Sequence, residues 1–224
     1  MRNVRSTGAS FAATCVGLKK KTRLFRNALA AKYAAIPRPA LRALGVDDAS
    51  EHEIHNVLDA YNRANPENML SVLCLLRLLG GATTSSTFES RVWTPPSTPQ
   101  PLVAMSDVRT MPREVSDVLD LVAAPTEPGE PRVVQSLYRH FGHRPGFLAL
   151  VVTLLRQRFD DGSIDRSVLA IRDAMSAEAD KLAARLMAPP APHRDIEIAC
   201  RKFGGVVIPQ MIVVGRLLDE ALPA

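Results

Sequence analysis

The apolar residues between positions 163 and 187 constrain the fold more than any other feature of this sequence. They recur at steps of three, four or seven, at Ile164, Val168, Ile171, Met175, Leu182 and Leu186. This spacing places them on one face of an α-helix. Aromatic residues make up only 5% of the whole chain. No stretch alternates β-branched and polar residues between paired turn signals, as strands would. We therefore expect an all-α protein.

Helix-start signals predict where two earlier helices begin. Ser50 followed by Glu53 is typical of a capping box, which predicts a helix that begins near Glu51. Asn65 followed by Pro66 is typical of an N-cap and a first-turn proline, which predicts the start of a second helix there. Because the leucine-rich stretch that follows carries few charges, we expect this second helix to be central and buried.

Composition divides the chain into four regions. Residues 1–30 form a basic arm that we expect to be poorly ordered, and residues 31–81 form a first helical unit. Residues 82–110 are rich in Pro, Ser and Thr, which is typical of a linker. Residues 111–224 form a second helical unit, whose last part we expect to be broken or kinked at its glycines and Pro209.

The charge is unevenly distributed. Ten of the 28 Lys and Arg residues, and none of the 23 Asp and Glu residues, lie before position 47. Such an arm is typical of a solvated tail, an organelle-addressing peptide or a segment that touches anionic membrane surfaces. Because few aromatic residues accompany it, we expect no nucleic-acid binding.

Two further observations bear on the cellular compartment. The longest uncharged apolar stretch near the C-terminus, residues 203–215, is shorter than the roughly 20 residues that a membrane span needs, and it contains Pro209. We therefore expect no membrane span. The three cysteines, Cys15, Cys74 and Cys200, are widely separated and form no CxxC pair. This pattern favours a reduced, cytoplasmic protein.

The polar residues offer few candidates for chemistry. His52 and His55 lie three apart in "EHEIH", which lacks one spacer of HExxH and suggests no third ligand, so we expect no metal site. Asn62 and Asn68 precede or begin the apolar helix, where buried amides must be hydrogen-bonded and can hold a small polar ligand. Phosphate-loop, dinucleotide-binding and nucleophile-elbow motifs are absent from the sequence.

The stretch "SLYRHFGHRPGFLALVVTLL" sets two histidines and two arginines against an apolar run. Because a residue before proline is disfavoured in the α conformation, Arg144 and Pro145 predict two helices joined at "GHRP". His140 then lies in the last turn of the first helix, where the helix dipole favours positive charge, and His143 lies in the connection. His140 lines a pocket only if its ring points inward.

These stretches, taken in order, resemble the group I 2-haloacid dehalogenases. The resemblance rests on "VLDAYNRANPENMLSVLCLLRLL", "RVVQSLYRHFGHRPGFLALVVTLL", "KLAARLMAPPAP" and "GGVVIPQMIVVGRLL". It implies two related helical repeats with an alkyl hydroperoxidase D-like architecture. It also implies hydrolysis of 2-haloacids without a cofactor, in which an aspartate activates water for direct attack at C2.

The chain departs from the family pattern at two points. Where the family carries its aspartate this chain has Leu137, which cannot deprotonate water, and His140 is then the possible base. Ser136, Tyr138 and Arg139 fit the pattern and are expected to bind substrate together with Asn62 and Asn68. A further helical segment usual at the front of the family is replaced by the basic arm, so we expect either a late start of the chain or a homodimer that completes the core.

Two functions remain open at this stage. The first is a cofactor-free dehalogenase that hydrolyses 2-haloalkanoic acids. The second, which Leu137 favours, is a non-catalytic helical module that binds a small carboxylate or a partner protein.

Overall fold

The protein is described here by a computed structural model. The residues it describes are 35–81, 101–124, 133–186 and 194–223. About 75% of these residues are helical and none belongs to a strand, which confirms the all-α class. One isolated β-bridge joins Ala124 and Val133. The basic arm and residues 82–100 of the expected linker lie outside the described residues.

Eight α-helices and one π-helical turn are found in the described residues. They are α1 (Arg38–Ala43), α2 (Asp48–Leu79), α3 (Arg113–Asp120), α4 (Ser136–Phe141), α5 (Pro145–Asp160), α6 (Ser163–Ala183), α7 (Arg194–Lys202), the π turn (Phe203–Val207) and α8 (Ile208–Ala221). In α6 the residues Ile164, Ile171, Met175 and Leu182 are buried. Val168 is half-buried, and Leu186 lies beyond the end of the helix, so the apolar periodicity predicted the buried face at four of its six positions.

Helix α2 begins earlier than the sequence signals predicted. Its N-cap is Asp47, whose carboxylate oxygen Oδ1 accepts a hydrogen bond from the backbone N–H of Ser50 at 2.8 Å. Hydrogen bonds from Ser50 to this carboxylate lower the pKa of Asp47. The predicted start near Glu51 is thus wrong, because Asp47 takes the capping role and the Glu53 carboxylate pairs with Arg144 instead.

Helix α2 also does not break at Pro66. The proline lies inside the helix, so the predicted N-cap at Asn65 and new start at Pro66 are wrong. A proline has no N–H to donate to the carbonyl four residues earlier, but apolar residues buried on both sides of it hold the helix together. Met69 and Leu70 are fully buried, whereas the leucines from position 73 to 79 are half-buried. Fewer side chains of this helix are therefore fully buried than we expected for a central helix.

The described helices divide into two compact units that are not continuous in sequence. The first comprises residues 35–65, 101–124, 133–168 and 210–223, and the second comprises residues 66–81, 169–186 and 194–209. Helices α2, α6 and α8 contribute residues to both units. This grouping differs from the sequential division at residues 81 and 110 that composition suggested, because helices far apart in the chain contact one another.

In the first unit, α4 and α5 meet at a tight connection. Arg144 adopts a non-helical conformation with φ −131° immediately before Pro145 begins α5, so the predicted helix–turn–helix seam is correct. Tyr138, Phe141 and Phe147 are almost completely buried. The rings of Phe141 and Phe147 contact edge to face at a centroid distance of 5.2 Å, which anchors α4 to α5.

In the second unit, the last turns of α2 contact α6 and the π turn. The Cys74 thiol donates to the Ala179 carbonyl oxygen at 3.7 Å, and the Arg77 guanidinium pairs with Asp180 at 2.5 Å. Gly204 lies against Val72, where a Cβ on the glycine would approach Val72 Cγ1 to 2.6 Å. The region expected to be broken or kinked stays helical and contains the π turn.

One helical stretch of the described residues is long and apolar enough to cross a membrane by length and composition. It is Arg194–Ala221, with a mean hydropathy of 1.4 over its most apolar window, half of which is buried. Core helices of soluble proteins also meet these criteria, so the finding is weak. The sequence argument against a membrane span relied in part on Pro209, but in the structure the helical stretch continues through this proline.

Candidate functional site

Helix α4 carries most of the side chains that the sequence singled out. Leu137 and Tyr138 are fully buried, and His140 is 6% exposed. Ser136 and Arg139 are half-buried. Their complete burial places Leu137 and Tyr138 in the core. Successive helical residues point about 100° apart, so the neighbouring Ser136, Arg139 and His140 remain as the candidates for binding.

His140 is held in one tautomer by a backbone carbonyl. Its Nδ1 lies 2.7 Å from the Val103 carbonyl oxygen. A carbonyl can only accept, so Nδ1 carries the proton and Nε2 carries the lone pair. Burial lowers the pKa of His140, and the nearby positive charges of His143 and Arg139 lower it further, against the opposing effect of the Val103 bond. The imidazole is therefore neutral at pH 7 and has a basic Nε2.

Tyr61, on α2, is the direct neighbour of His140. The two rings contact edge to face at 5.6 Å between centroids. Burial raises the pKa of the Tyr61 hydroxyl, while hydrogen bonding from the Ser136 hydroxyl and the charge on Arg139 offset part of the increase. The phenol remains protonated at neutral pH and can donate a hydrogen bond to an anion.

Arg139 supplies positive charge beside these hydroxyls. Its Nε donates to the Ser106 carbonyl oxygen at 3.1 Å, and the Ser106 N–H donates back to the Arg139 carbonyl oxygen at 3.1 Å. Its charge offsets part of the increase in the Tyr61 pKa. Hydrogen bonds from Arg109 lower the pKa of Asp107 to about 2, and the Arg139 charge adds a smaller contribution. The Asp107 carboxylate pairs with Arg109 at 2.8 Å, and among the described residues Arg139 makes no ion pair of its own.

The segment 103–106 is fastened to α4 and the turn after it. Besides the bonds of Arg139 and His140, the His143 ring Nε2 lies 2.7 Å from the Ala104 carbonyl oxygen. Ser106 is buried, and a Cβ at Gly142 would approach its Oγ to 2.8 Å. Residues 103–106, which belong to the expected linker of residues 82–110, are thus held against this helix and turn, because the side chains of Arg139, His140 and His143 satisfy their carbonyls.

Two amide contacts join α8 to the other helices. The Asn62 Nδ2 on α2 donates to the Gly215 carbonyl oxygen at 3.2 Å. Gln135, which precedes α4 and is 2% exposed, donates from Nε2 to Gln210 Oε1 at 2.6 Å. Two oxygens, Asn62 Oδ1 and Gln135 Oε1, are buried with no hydrogen-bond partner.

These contacts link α2 to α4 through Tyr61 and His140, α2 to α8 through Asn62, and the residue before α4 to α8 through Gln135 and Gln210. We call the group the polar cluster; it consists of Tyr61, Asn62, Gln135, Ser136, His140 and Gln210. Acceptors, donors and a neutral base are thus collected in the first unit, with Arg139 beside them. Such an arrangement can bind a small anion through hydroxyls and a guanidinium while an imidazole takes up a proton.

Some predicted residues do not fit this site. Asn68 is exposed, so the burial argument that selected it fails, and we drop it as a substrate-binding residue. Tyr138 has a fully buried side chain within the core. His55, which drew attention as a possible metal ligand, is half-buried, and its Nε2 lies 3.1 Å from the Pro223 carbonyl oxygen.

Three members of the cluster were not predicted from the sequence. Tyr61 lies next to Asn62, but no sequence pattern distinguishes it as a binding residue. Gln135 and Gln210 are 75 residues apart. No local spacing connects them, so only the fold reveals the pair.

Comparison with protein-family models, curated proteins and solved structures finds no match for this chain. Among the residues that the structure describes, no group of three or more His, Cys, Asp or Glu side chains could hold a metal ion.

Proposed function

We propose that the polar cluster and Arg139 bind a small carboxylic acid, and that 2-haloalkanoic acids are hydrolysed there. The observation that carries the proposal is the buried, neutral His140, fixed with its lone pair on Nε2 and adjacent to Tyr61. The Arg139 guanidinium offers charge to the carboxylate, and the hydroxyls of Tyr61 and Ser136 offer hydrogen bonds.

His140 would act as the general base. Its Nε2 takes a proton from water as the water oxygen forms a bond to C2 of the acid. The carbon–halogen bond breaks, and its electron pair leaves with the halide ion. The product is a 2-hydroxy acid of inverted configuration. A base whose pKa lies below 7 is already deprotonated at neutral pH, as this step requires.

The resemblance to the group I 2-haloacid dehalogenases supports the same reaction. The all-α class agrees with their alkyl hydroperoxidase D-like architecture, and two related repeats, a cytoplasmic location and a homodimer are part of the proposal. Leu137, at the family's aspartate position, is completely buried and apolar. The catalytic base must therefore come from another side chain, and His140 is the one that lies within the cluster.

A second candidate function is binding of a small carboxylate, or of an acidic partner segment, without turnover. The observation that favours it is again Leu137, because a site that lost its aspartate can keep its binding residues. The two functions share Arg139, Tyr61 and Ser136 and differ only in the role of His140.

Halide release separates them. Racemic 2-chloropropionate is incubated with the full chain, with His140→Gln and with His52→Gln, a control histidine that is exposed on α2. We expect the wild type and the control to release halide. The rate in His140→Gln should be lower by a factor of about a hundred or more, which is the usual contribution of a general base. Equal rates in all three proteins would remove His140 from the mechanism.

Equilibrium binding completes the test. Calorimetry with 2-chloropropionate is expected to show binding to the wild type and to Arg113→Gln, an arginine that is 90% exposed, and weaker binding to Arg139→Gln. Binding without halide release would establish the second function. No binding and no release by a folded chain would reject both.

A further inference from the structure

Helix α7 is the only helix among the described residues in which no residue is buried. One side of it still packs inward. Glu197 and Cys200 are half-buried, and Gly204 and Val207 of the following π turn are buried. Because these four positions recur at steps of three and four, they share one side of the helical stretch. The opposite side of α7 therefore faces away from its own unit.

The outer side of α7 combines exposed apolar residues with one charge at each end. Asp195 and Lys202 are seven residues apart, which is about two turns, so they lie on the same side of the helix. Ile198 and Ala199 lie between them and are exposed, and Ile198 is 54% exposed. We call this side the α7 face. It consists of these four residues and of the exposed apolar residues beside them, Ile196, Phe203 and Val206.

The charges of the α7 face are complementary to those of a second, antiparallel copy. A two-fold axis that passes between Ile198 and Ala199 places Asp195 of each copy opposite Lys202 of the other. Two contacts between opposite charges then flank an apolar centre, and the dipoles of the two helices also run in opposite directions. A parallel arrangement would instead place like charges together. A surface that fits itself through a two-fold axis is what a symmetric dimer requires.

The balance of charge on α7 favours a second copy over a membrane surface. The helix carries three basic and two acidic residues, Arg194, Arg201, Lys202, Asp195 and Glu197. Helices that lie on anionic lipid carry an excess of Lys and Arg on their polar face. Here Asp195 lies on the apolar side itself, where anionic headgroups would repel it. The same carboxylate is attracted by a lysine of a second copy.

We propose that two copies of this protein associate through the α7 face, with the two α7 helices antiparallel about a two-fold axis near Ile198 and Ala199. The inference rests on the homodimer that belongs to the proposed function, and it gives that homodimer an interface. It does not depend on carboxylate binding, because the polar cluster lies on other helices. The apolar centre supplies the attraction, and the charged ends fix the direction of the second copy.

Ile198→Glu tests the apolar centre. Sedimentation velocity over a concentration series gives the dimer dissociation constant of the full chain. The variant should raise this constant at least about tenfold, because the dimer no longer buries two isoleucines. Leu121→Glu is the matched control, since Leu121 is 52% exposed in the first unit, and it should leave the constant unchanged. Both side chains are exposed in the single chain, so we expect both variants to fold, and thermal unfolding checks this.

Charge reversal tests the antiparallel arrangement. Asp195→Lys alone and Lys202→Asp alone each place like charges opposite each other at both ends of the interface. Each should raise the dissociation constant about threefold to tenfold. The double variant Asp195→Lys with Lys202→Asp restores opposite charges and should return the constant to within about twofold of the wild-type value. A general loss of structure in one variant would not be repaired by the second substitution.

Four results would overturn the inference. A wild type that stays monomeric at every concentration would reject the dimer. A monomer that cosediments with vesicles of phosphatidylserine and phosphatidylcholine, and loses this binding in Ile198→Glu, would assign the α7 face to lipid. A dimer that is unaffected by Ile198→Glu would use another surface. Single charge variants that leave the dimer unchanged, or a double variant that does not restore it, would reject the antiparallel arrangement. None of these results alters the test of carboxylate binding by halide release and calorimetry.

Discussion

At the scale of single residues, His140 shows how one hydrogen bond can define a chemical role. The Val103 carbonyl fixes the proton on Nδ1 and leaves Nε2 basic. Burial keeps the ring neutral. Leu137, three residues earlier, shows the converse: in this fold its side chain belongs to the core, so a carboxylate there would be desolvated.

His140 predicts a specific pH dependence of stability. Because its pKa is lowered in the folded protein from the ordinary 6.5, the unfolded chain binds a proton more readily. The free energy of unfolding should therefore fall as pH drops below about 6.5, and the loss should stop growing below the folded pKa. Carboxylates such as Asp47 and Asp107 act at lower pH, since their pKa values are lowered from 3.8.

Urea unfolding between pH 5 and pH 7.5 measures this effect. His140→Gln should show a flatter profile than the wild type over this range, and His52→Gln should retain the wild-type slope. The same slope in His140→Gln and the wild type would contradict the inferred pKa.

The residues also show which parts of the site the sequence could reveal. Ser136, Arg139 and His140 lie within one turn and a half of helix, so their proximity is local and predictable. Tyr61 meets His140, and Gln135 meets Gln210, only through tertiary contacts between segments that are distant in the chain. Asn68 was expected to be buried because it immediately precedes the apolar residues of its helix, but its own side chain is exposed.

At the scale of secondary-structure elements, local rules succeeded where one signal acted alone. Pro145 constrains Arg144, so the α4–α5 connection was predictable. Two signals competed at the start of α2, and Asp47 capped the helix in place of Ser50. At Pro66 tertiary packing outweighed the cost of a proline, which no local rule measures.

Two adjacent glycines test the contact between α2 and the π turn. A Cβ at Gly204 would come within 2.6 Å of Val72 Cγ1, whereas a Cβ at Gly205 meets nothing within 4 Å. Gly204→Ala should lower the free energy of unfolding by about 1–3 kcal/mol through overpacking. Gly205→Ala should raise it by about 0.5–1 kcal/mol through helix propensity.

Denaturant unfolding of the two alanine variants gives the comparison. Destabilisation by Gly204→Ala alone supports the close approach to Val72. Equal effects of both substitutions would show that backbone freedom, and not this contact, decides the choice of glycine.

At the scale of the whole molecule, the sequence predicted the all-α class but not the grouping of helices. Apolar periodicity is a property of each helix, whereas the two compact units combine segments that are distant in the chain. Composition alone carries no information about which faces meet.

The second unit leaves large apolar side chains in water. Leu169 is 55% exposed, Ile196 49% and Phe203 45%, and α7 contains no buried residue. Exposed apolar surface favours association, so we predict a concentration-dependent homodimer in sedimentation velocity. The double variant Ile196→Glu with Phe203→Glu should shift it toward monomer, and Ala177→Glu, an exposed position on α6, should not. A wild type that is monomeric at every concentration would contradict the prediction.

We expect a small carboxylic acid to bind beside His140, and NMR of the histidine ring protons during titration with 2-chloropropionate detects this binding at the residue itself. The His140→Gln spectrum assigns the resonance. We predict that the His140 signal shifts with ligand to saturation, and that the exposed His52 signal stays in place. A His140 signal that does not move at ligand concentrations well above millimolar would contradict carboxylate binding beside His140.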